Sequence, residues 1–87
     1  MKALSFPQAV TMDAVSAEVM RARLKFPDNE KLLAALMEEM GELAKAMLQR
    51  RPKDEIEKEA IQVAAVAVRL IEEGDKDFSG TSWSAAP

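Results

Sequence analysis

The run LLAALMEEMGELAKA, residues 32–46, sets acidic residues into the apolar face of a helix. Leu32, Leu36, Leu43 and Met47 recur at intervals that return to one side of an α-helix. Glu39 lies between Leu32 and Leu43, near the middle of that stripe, and Glu42 stands one turn on, toward its edge. A carboxylate on a core-facing line is costly to desolvate unless positive charge compensates it. Leu33, Met37, Ala44 and Leu48 form a second apolar row on the same helix. A helix apolar over more than half its circumference needs cover on two sides. Its own chain supplies one side, and a partner subunit is the simplest source of the other.

Working outward, Asp28 and Asn29 are good N-caps, so the spacing predicts this helix over residues 29–50. Before it, Met12, Val15, Val19, Ala22 and Phe26 keep a helical rhythm that Pro27 ends. With Thr11 as cap and Asp13 against the positive helix end, that first helix is read over residues 8–25. Pro52 suits the start of a third helix, Asp54, Glu55 and Glu57 load its first turn, and Gly74 stops it, giving residues 52–73. Its core face reads Ile56, Ala60, Val63, Ala67, Leu70 and Ile71, beside a polar edge of Glu55, Glu59, Gln62, Arg69 and Glu73. The fold class is therefore all-α: a three-helix protomer that forms a helical bundle with a partner subunit. One helical domain occupies residues 1–74, and an irregular tail over 75–87 carries two aromatics, Phe78 and Trp83.

Composition narrows the chemistry. Eighty-seven residues hold one small core, and 48% apolar residues with only 5% aromatics suit packed helices. A net charge of −3 offers no basic face for the phosphates of a nucleic acid. Cysteine and histidine are both absent, which excludes a tetrahedral zinc site, a Cys nucleophile and a Ser–His pair. Metal chemistry then rests on carboxylate and amide oxygens, the donors that magnesium or manganese prefer. The first residues carry no apolar signal core, and the run 60–71 is too short for a bilayer and broken by Gln62 and Arg69. A cytoplasmic protein with no membrane partner is expected.

Glu39 and Glu42 stand three apart on helix 2, as do Glu59 and Gln62 on helix 3, so each pair projects two oxygen donors to one point. A tight turn near Arg51-Pro52 would bring the two pairs together across an antiparallel seam. Clustered carboxylates stay ionised when divalent cations hold them, and magnesium so held keeps positions open for phosphate oxygens. Set against this is the ordinary reading of acidic pairs on helices, a solvated face, which suffices for Glu57–Lys58 and Glu72–Glu73.

LLAALMEEMGELAKA at 32–46, followed by EKEAIQVAAVAVRL at 57–70, resembles the MazG-like all-α nucleoside triphosphate pyrophosphohydrolases. Those proteins carry EExxE on one helix and ExxD on the next. Glu38, Glu39 and Glu42 match the first motif, and Glu59 matches the start of the second, whose last position is Gln62 instead of Asp. The resemblance spans about residues 25–73. It implies a bundle completed by dimerisation, as a homodimer or a dimer of dimers, and hydrolysis of a nucleoside triphosphate to monophosphate and pyrophosphate. It further implies Glu39, Glu42 and Glu59 as magnesium ligands, Gln62 in the fourth ligand's place, and Glu38 orienting a ligand or a water. Magnesium would neutralise phosphate charge and acidify the attacking water. Gln62 removes one negative charge, which Glu55 one turn before Glu59 is placed to resupply. Candidates for phosphate contact are Arg21, Lys25, Lys45, Arg50, Arg51 and Arg69, and for stacking on a base Trp83 or Phe78. Arg69 has an equally good alternative, an ion pair with Glu73. Two further readings stand beside the enzyme: a catalytically silent helical dimer that binds nucleotide or protein, and a purely structural bundle.

Overall fold

The computed structural model describes residues 5–78. Three helices follow one another, α1 (Phe6–Lys25), α2 (Leu32–Leu48) and α3 (Lys53–Glu73), and a 3₁₀ turn covers Lys76–Phe78. Among the described residues there is no strand, so the chain is all-α. No described helix is long and apolar enough to cross a membrane.

α1 begins earlier than the periodicity indicates, because Ser5, not Thr11, is its cap. The Ser5 hydroxyl accepts the Gln8 N–H at 3.3 Å while the Gln8 side chain accepts the Ser5 N–H at 2.8 Å. This reciprocal pair satisfies two N–H groups that the first turn leaves over. Pro7 sits in that same turn, where its missing N–H costs nothing. Thr11 lies inside the helix, its hydroxyl donating to the Pro7 carbonyl at 3.0 Å.

α2 also departs from expectation. It starts at Leu32 instead of Asn29, and its N-cap, Lys31, adopts a left-handed φ of 61° with no side-chain cap of its own. The missing acceptors come from beyond α3. Asp75 Oδ2 accepts the Leu33 N–H at 2.8 Å, and Asp77 Oδ2 accepts the Lys31 N–H at 3.1 Å. Asn29 works in the opposite direction, donating through Nδ2 to the Glu73 carbonyl at 2.8 Å at the end of α3. The α1–α2 connection and the end of α3 thus satisfy each other's leftover backbone groups. For the same reason the tail, expected irregular from residue 75, is held as far as Phe78, with Asp75 only 2% exposed.

α1 and α2 each pack along α3 and much less against one another. The short connection 49–52, with Arg50 at φ 54°, returns the chain so that α2 and α3 run antiparallel. Val15 and Val19 of α1 bury against Ala65, flanked by Ile61, Ala64 and Val68. This corrects the expected α3 core face: Ala65 is its most buried apolar residue, Ala60 is exposed, and Ile71 is 81% exposed. α3 is apolar around much of its circumference, and only the choice of neighbour selects which row turns inward. Arg69 is buried in the same seam at 3% exposure. Its guanidinium donates twice to Glu73, at 2.9 Å each, and once to the Asp28 carbonyl at 3.1 Å.

Much apolar surface stays uncovered. Among the described residues only Val15, Val19, Leu32, Ala46 and Ala65 form the buried apolar set. On α1, Phe6, Val10, Met20 and Leu24 line an exposed stripe on the side away from Val15 and Val19, continued through Ala17 and broken by Asp13. On α2, Leu33, Met37, Met40, Ala44 and Met47 recur every three or four residues, all exposed, with Leu48 beside them. Met47, expected on the inward row with Leu32, belongs to this outward one.

Candidate functional site

The antiparallel α2–α3 pair supplies the framework. Glu38, Glu39 and Glu42 stand on α2, Glu59 and Gln62 on α3. Glu39, Glu59 and Gln62 are half-buried, whereas Glu38 and Glu42 are exposed. Glu39's carboxyl is pushed above the usual carboxylate range, first by burial, then by the charge of Glu59 across the seam, then by Glu38, Glu42 and Glu18. Burial and like charges both disfavour the ionised form, and no cation figures among the causes. Glu39 is therefore the centre of a carboxylate group drawn from all three helices.

Glu42 and Glu59 line the same cleft, a space of about 350 Å³ between the second half of α2 and the start of α3. Lys45, Gln49, Arg51 and Lys58 line it as well. Arg51 is tied to Glu55 by two hydrogen bonds, 2.8 and 3.0 Å, which hold the Glu55 carboxyl below its usual range. That pairing commits Glu55, the residue placed by sequence to resupply the charge missing at Gln62, to a cation instead. As the side chains stand, no three carboxylates among the described residues converge closely enough to hold a metal ion.

The other sequence candidates lie elsewhere. Lys25 is exposed, its Nζ 5.4 Å from the centre of the Phe26 ring. Arg69 is engaged by Glu73 and by the Asp28 carbonyl, which ties α3 to the α1–α2 connection. Arg21 pairs with Glu18 on its own helix. Trp83 falls outside the described residues.

Sequence reasoning passed over two residues here. Glu18, on α1, reaches the Glu39 environment only through the way α1 packs on α3. Lys58 precedes Glu59 directly and reads from sequence as surface charge, yet it lines the cleft. Its spacing from Glu55 and Gln62 (i+3 and i−4) was the available signal. Compared with protein-family profiles, curated proteins and solved structures, the chain matches none.

Proposed function

We propose that this chain is a magnesium-dependent nucleoside triphosphate pyrophosphohydrolase of the MazG-like kind, working as a homodimer or a dimer of dimers. One observation carries the reading: Glu42 and Glu59 line one cleft, and the carboxyl of the half-buried Glu39 is raised by burial and by the charges of Glu59, Glu38, Glu42 and Glu18. Such a cluster is unfavourable by itself, and its hard oxygen donors suit magnesium or manganese. Glu39, Glu42 and Glu59 would hold the ion, with the Gln62 carboxamide oxygen as a neutral fourth donor. Magnesium held there would supply neutralisation of phosphate charge and an acidified water.

The protein's own part is positioning. Carboxylates on two packed helices keep fixed spacing, so the substrate's α-phosphorus and an attacking water meet in one place. Glu38, exposed beside Glu39, would orient that water. Hydrolysis joins the water oxygen to the α-phosphorus and breaks that phosphorus's bond to the α,β-bridging oxygen. Triphosphate and water thereby give monophosphate, pyrophosphate and a proton. Self-association accounts for the exposed apolar rows of α1 and α2, which a single copy leaves in water.

A specific observation favours a second reading, a silent dimer that binds nucleotide or protein without turnover. Gln62 lowers the negative charge of the cluster, and the described carboxylates are not preset at metal-binding distances. Calorimetric titration with magnesium, followed by a pyrophosphate-release screen over nucleoside triphosphates, separates the two. Metal binding with release from at least one triphosphate supports the enzyme. Metal binding with no release over the whole panel supports the silent dimer, and no metal binding at all removes both the site and the activity.

A further inference from the structure

Phe78, the last described residue, is held at the start of α2. Asp75 accepts the Leu33 N–H, Asp77 accepts the Lys31 N–H, and the Lys76 N–H donates to the Asn29 carbonyl at 3.1 Å. The Phe78 N–H closes the turn on the Asp75 carbonyl at 2.9 Å. Residue 79 therefore leaves from the first turn of α2, where the exposed apolar row of that helix opens with Leu33 and Met37. The sequence that follows, SGTSWSAAP over 79–87, carries no charged side chain and one large apolar residue, Trp83. It can lie on an apolar surface without stranding a charge there.

We infer that residues 79–87 fold back over the start of α2 in their own chain, with Trp83 seated on Leu33 and Met37. Reach selects that place. Trp83 is five residues beyond Phe78, a span of at most about 17 Å. Met37 stands six residues past Lys31, about 9 Å along the helix, whereas Met47 is sixteen past it, about 24 Å along. Tethering selects the occupant, because a group held by so short a connection is present locally at about millimolar concentration. A second copy at micromolar concentration competes poorly for the same two side chains. It keeps the remainder of the row, Met40, Ala44 and Met47. An indole on Met37 gains a sulfur–aromatic contact and leaves its N–H at the edge, in water. The seat does not depend on the hydrolase reading.

Trp83 is the one tryptophan and the chain has no tyrosine, so its fluorescence reports this seat alone. Emission of the full chain should lie to the blue of the same chain in denaturant, and acrylamide should quench it more weakly. Leu33→Ser and Met37→Ser should each shift emission to the red and strengthen quenching. Met47→Ser changes the same row beyond the reach of Trp83 and should leave both unchanged. Emission of the unaltered chain at its denatured position would overturn the inference, and so would blue emission that neither Leu33→Ser nor Met37→Ser moves. The absence of cysteine allows a second measurement, oxidation of Met37→Cys combined with Ser82→Cys. A disulfide within one chain, run unreduced at the mass of a single chain, is the expected product. Cross-linked pairs of chains would give the seat to the tail of a second copy and overturn the own-chain contact, and no disulfide at all would overturn it too.

Discussion

The carboxylate of Asp75 accepts the backbone N–H of Leu33 at 2.8 Å, so the end of the α2–α3 hairpin caps its own start. Asp75 also accepts the Asp77 N–H at 2.9 Å and is almost wholly buried. Removing it takes the acceptor from the N–H groups of Leu33 and Asp77. Asp75→Ala should destabilise the protein by about 1–3 kcal/mol, a melting temperature lower by roughly 5–20 °C for a domain of this size. Asp75→Asn keeps one acceptor oxygen and should lose less. Thermal unfolding followed by circular dichroism measures both, and an unchanged midpoint for Asp75→Ala would refute the cap.

Arg69 should behave as a structural residue. Its fork donates two bonds to Glu73 and a third to the Asp28 carbonyl, geometry that a lysine cannot reproduce. Arg69→Lys and Arg69→Ala should both lower the melting temperature, Ala by the equivalent of about 2–4 kcal/mol, because Glu73 then keeps Arg23 as its one cationic partner among the described residues. Substrate contact predicts another pattern: an unchanged midpoint with a raised KM.

The hairpin of α2 and α3 was readable from sequence, since Gly74, the Pro52 turn and two long apolar runs each mark it independently. That Glu42 and Glu59 line one cleft follows from their similar distances to that turn. Less was legible where acceptors come from afar. Asp28 and Asn29 have the right chemistry for capping α2, but Asp75 takes that role and Asn29 turns to α3, which local pattern does not disclose. α1 hid its outward stripe because Phe6, Val10, Met20 and Leu24 alternate with the inward row, and periodicity alone favours neither face.

The pH dependence should show opposite contributions from two glutamates. Glu73 has its carboxyl lowered, chiefly by the Arg69 hydrogen bonds. Its contribution is present above the ordinary glutamate value of 4.5 and is lost as pH falls through the lower folded value. Glu39 is raised, so its contribution is present below 4.5 and is lost as pH rises through the higher folded value. In a chelator, Glu39→Gln should therefore raise the midpoint at pH 7 and flatten the decline above pH 4.5. If the variant follows the unaltered chain at every pH, Glu39 does not sit in the crowded environment described.

Gln62 is the residue at which charge can be restored. Gln62→Asp adds a carboxylate beside Glu59, one turn away on the same helix. It should tighten magnesium binding by about tenfold, since one more ionised ligand offsets more of the ion's dehydration. Glu39→Gln and Glu59→Gln should abolish binding while circular dichroism stays helical. Full magnesium affinity in Glu39→Gln would put the ion elsewhere.

The exposed stripe of α2 gives the most direct test of assembly. Met37 and Met40 sit at its middle, 65% and 53% exposed, with Leu33 before them and Ala44 and Met47 after. A row repeating every three and four residues is the pattern by which helices of two subunits interlock. Light scattering at micromolar concentration should give at least a dimer for the unaltered chain. Met37→Glu with Met40→Glu places like charges in that seam and should reduce it to a monomer, since burying them unpaired is prohibitive. Leu24→Glu alters only the α1 stripe, where Leu24 is 87% exposed. If the assembly is a dimer of dimers joined through α1, this second change should halve the mass without reaching the monomer. A well-folded monomer for the unaltered chain would mean that neither stripe is an interface between copies, and the two-sided reading of α2 would be wrong.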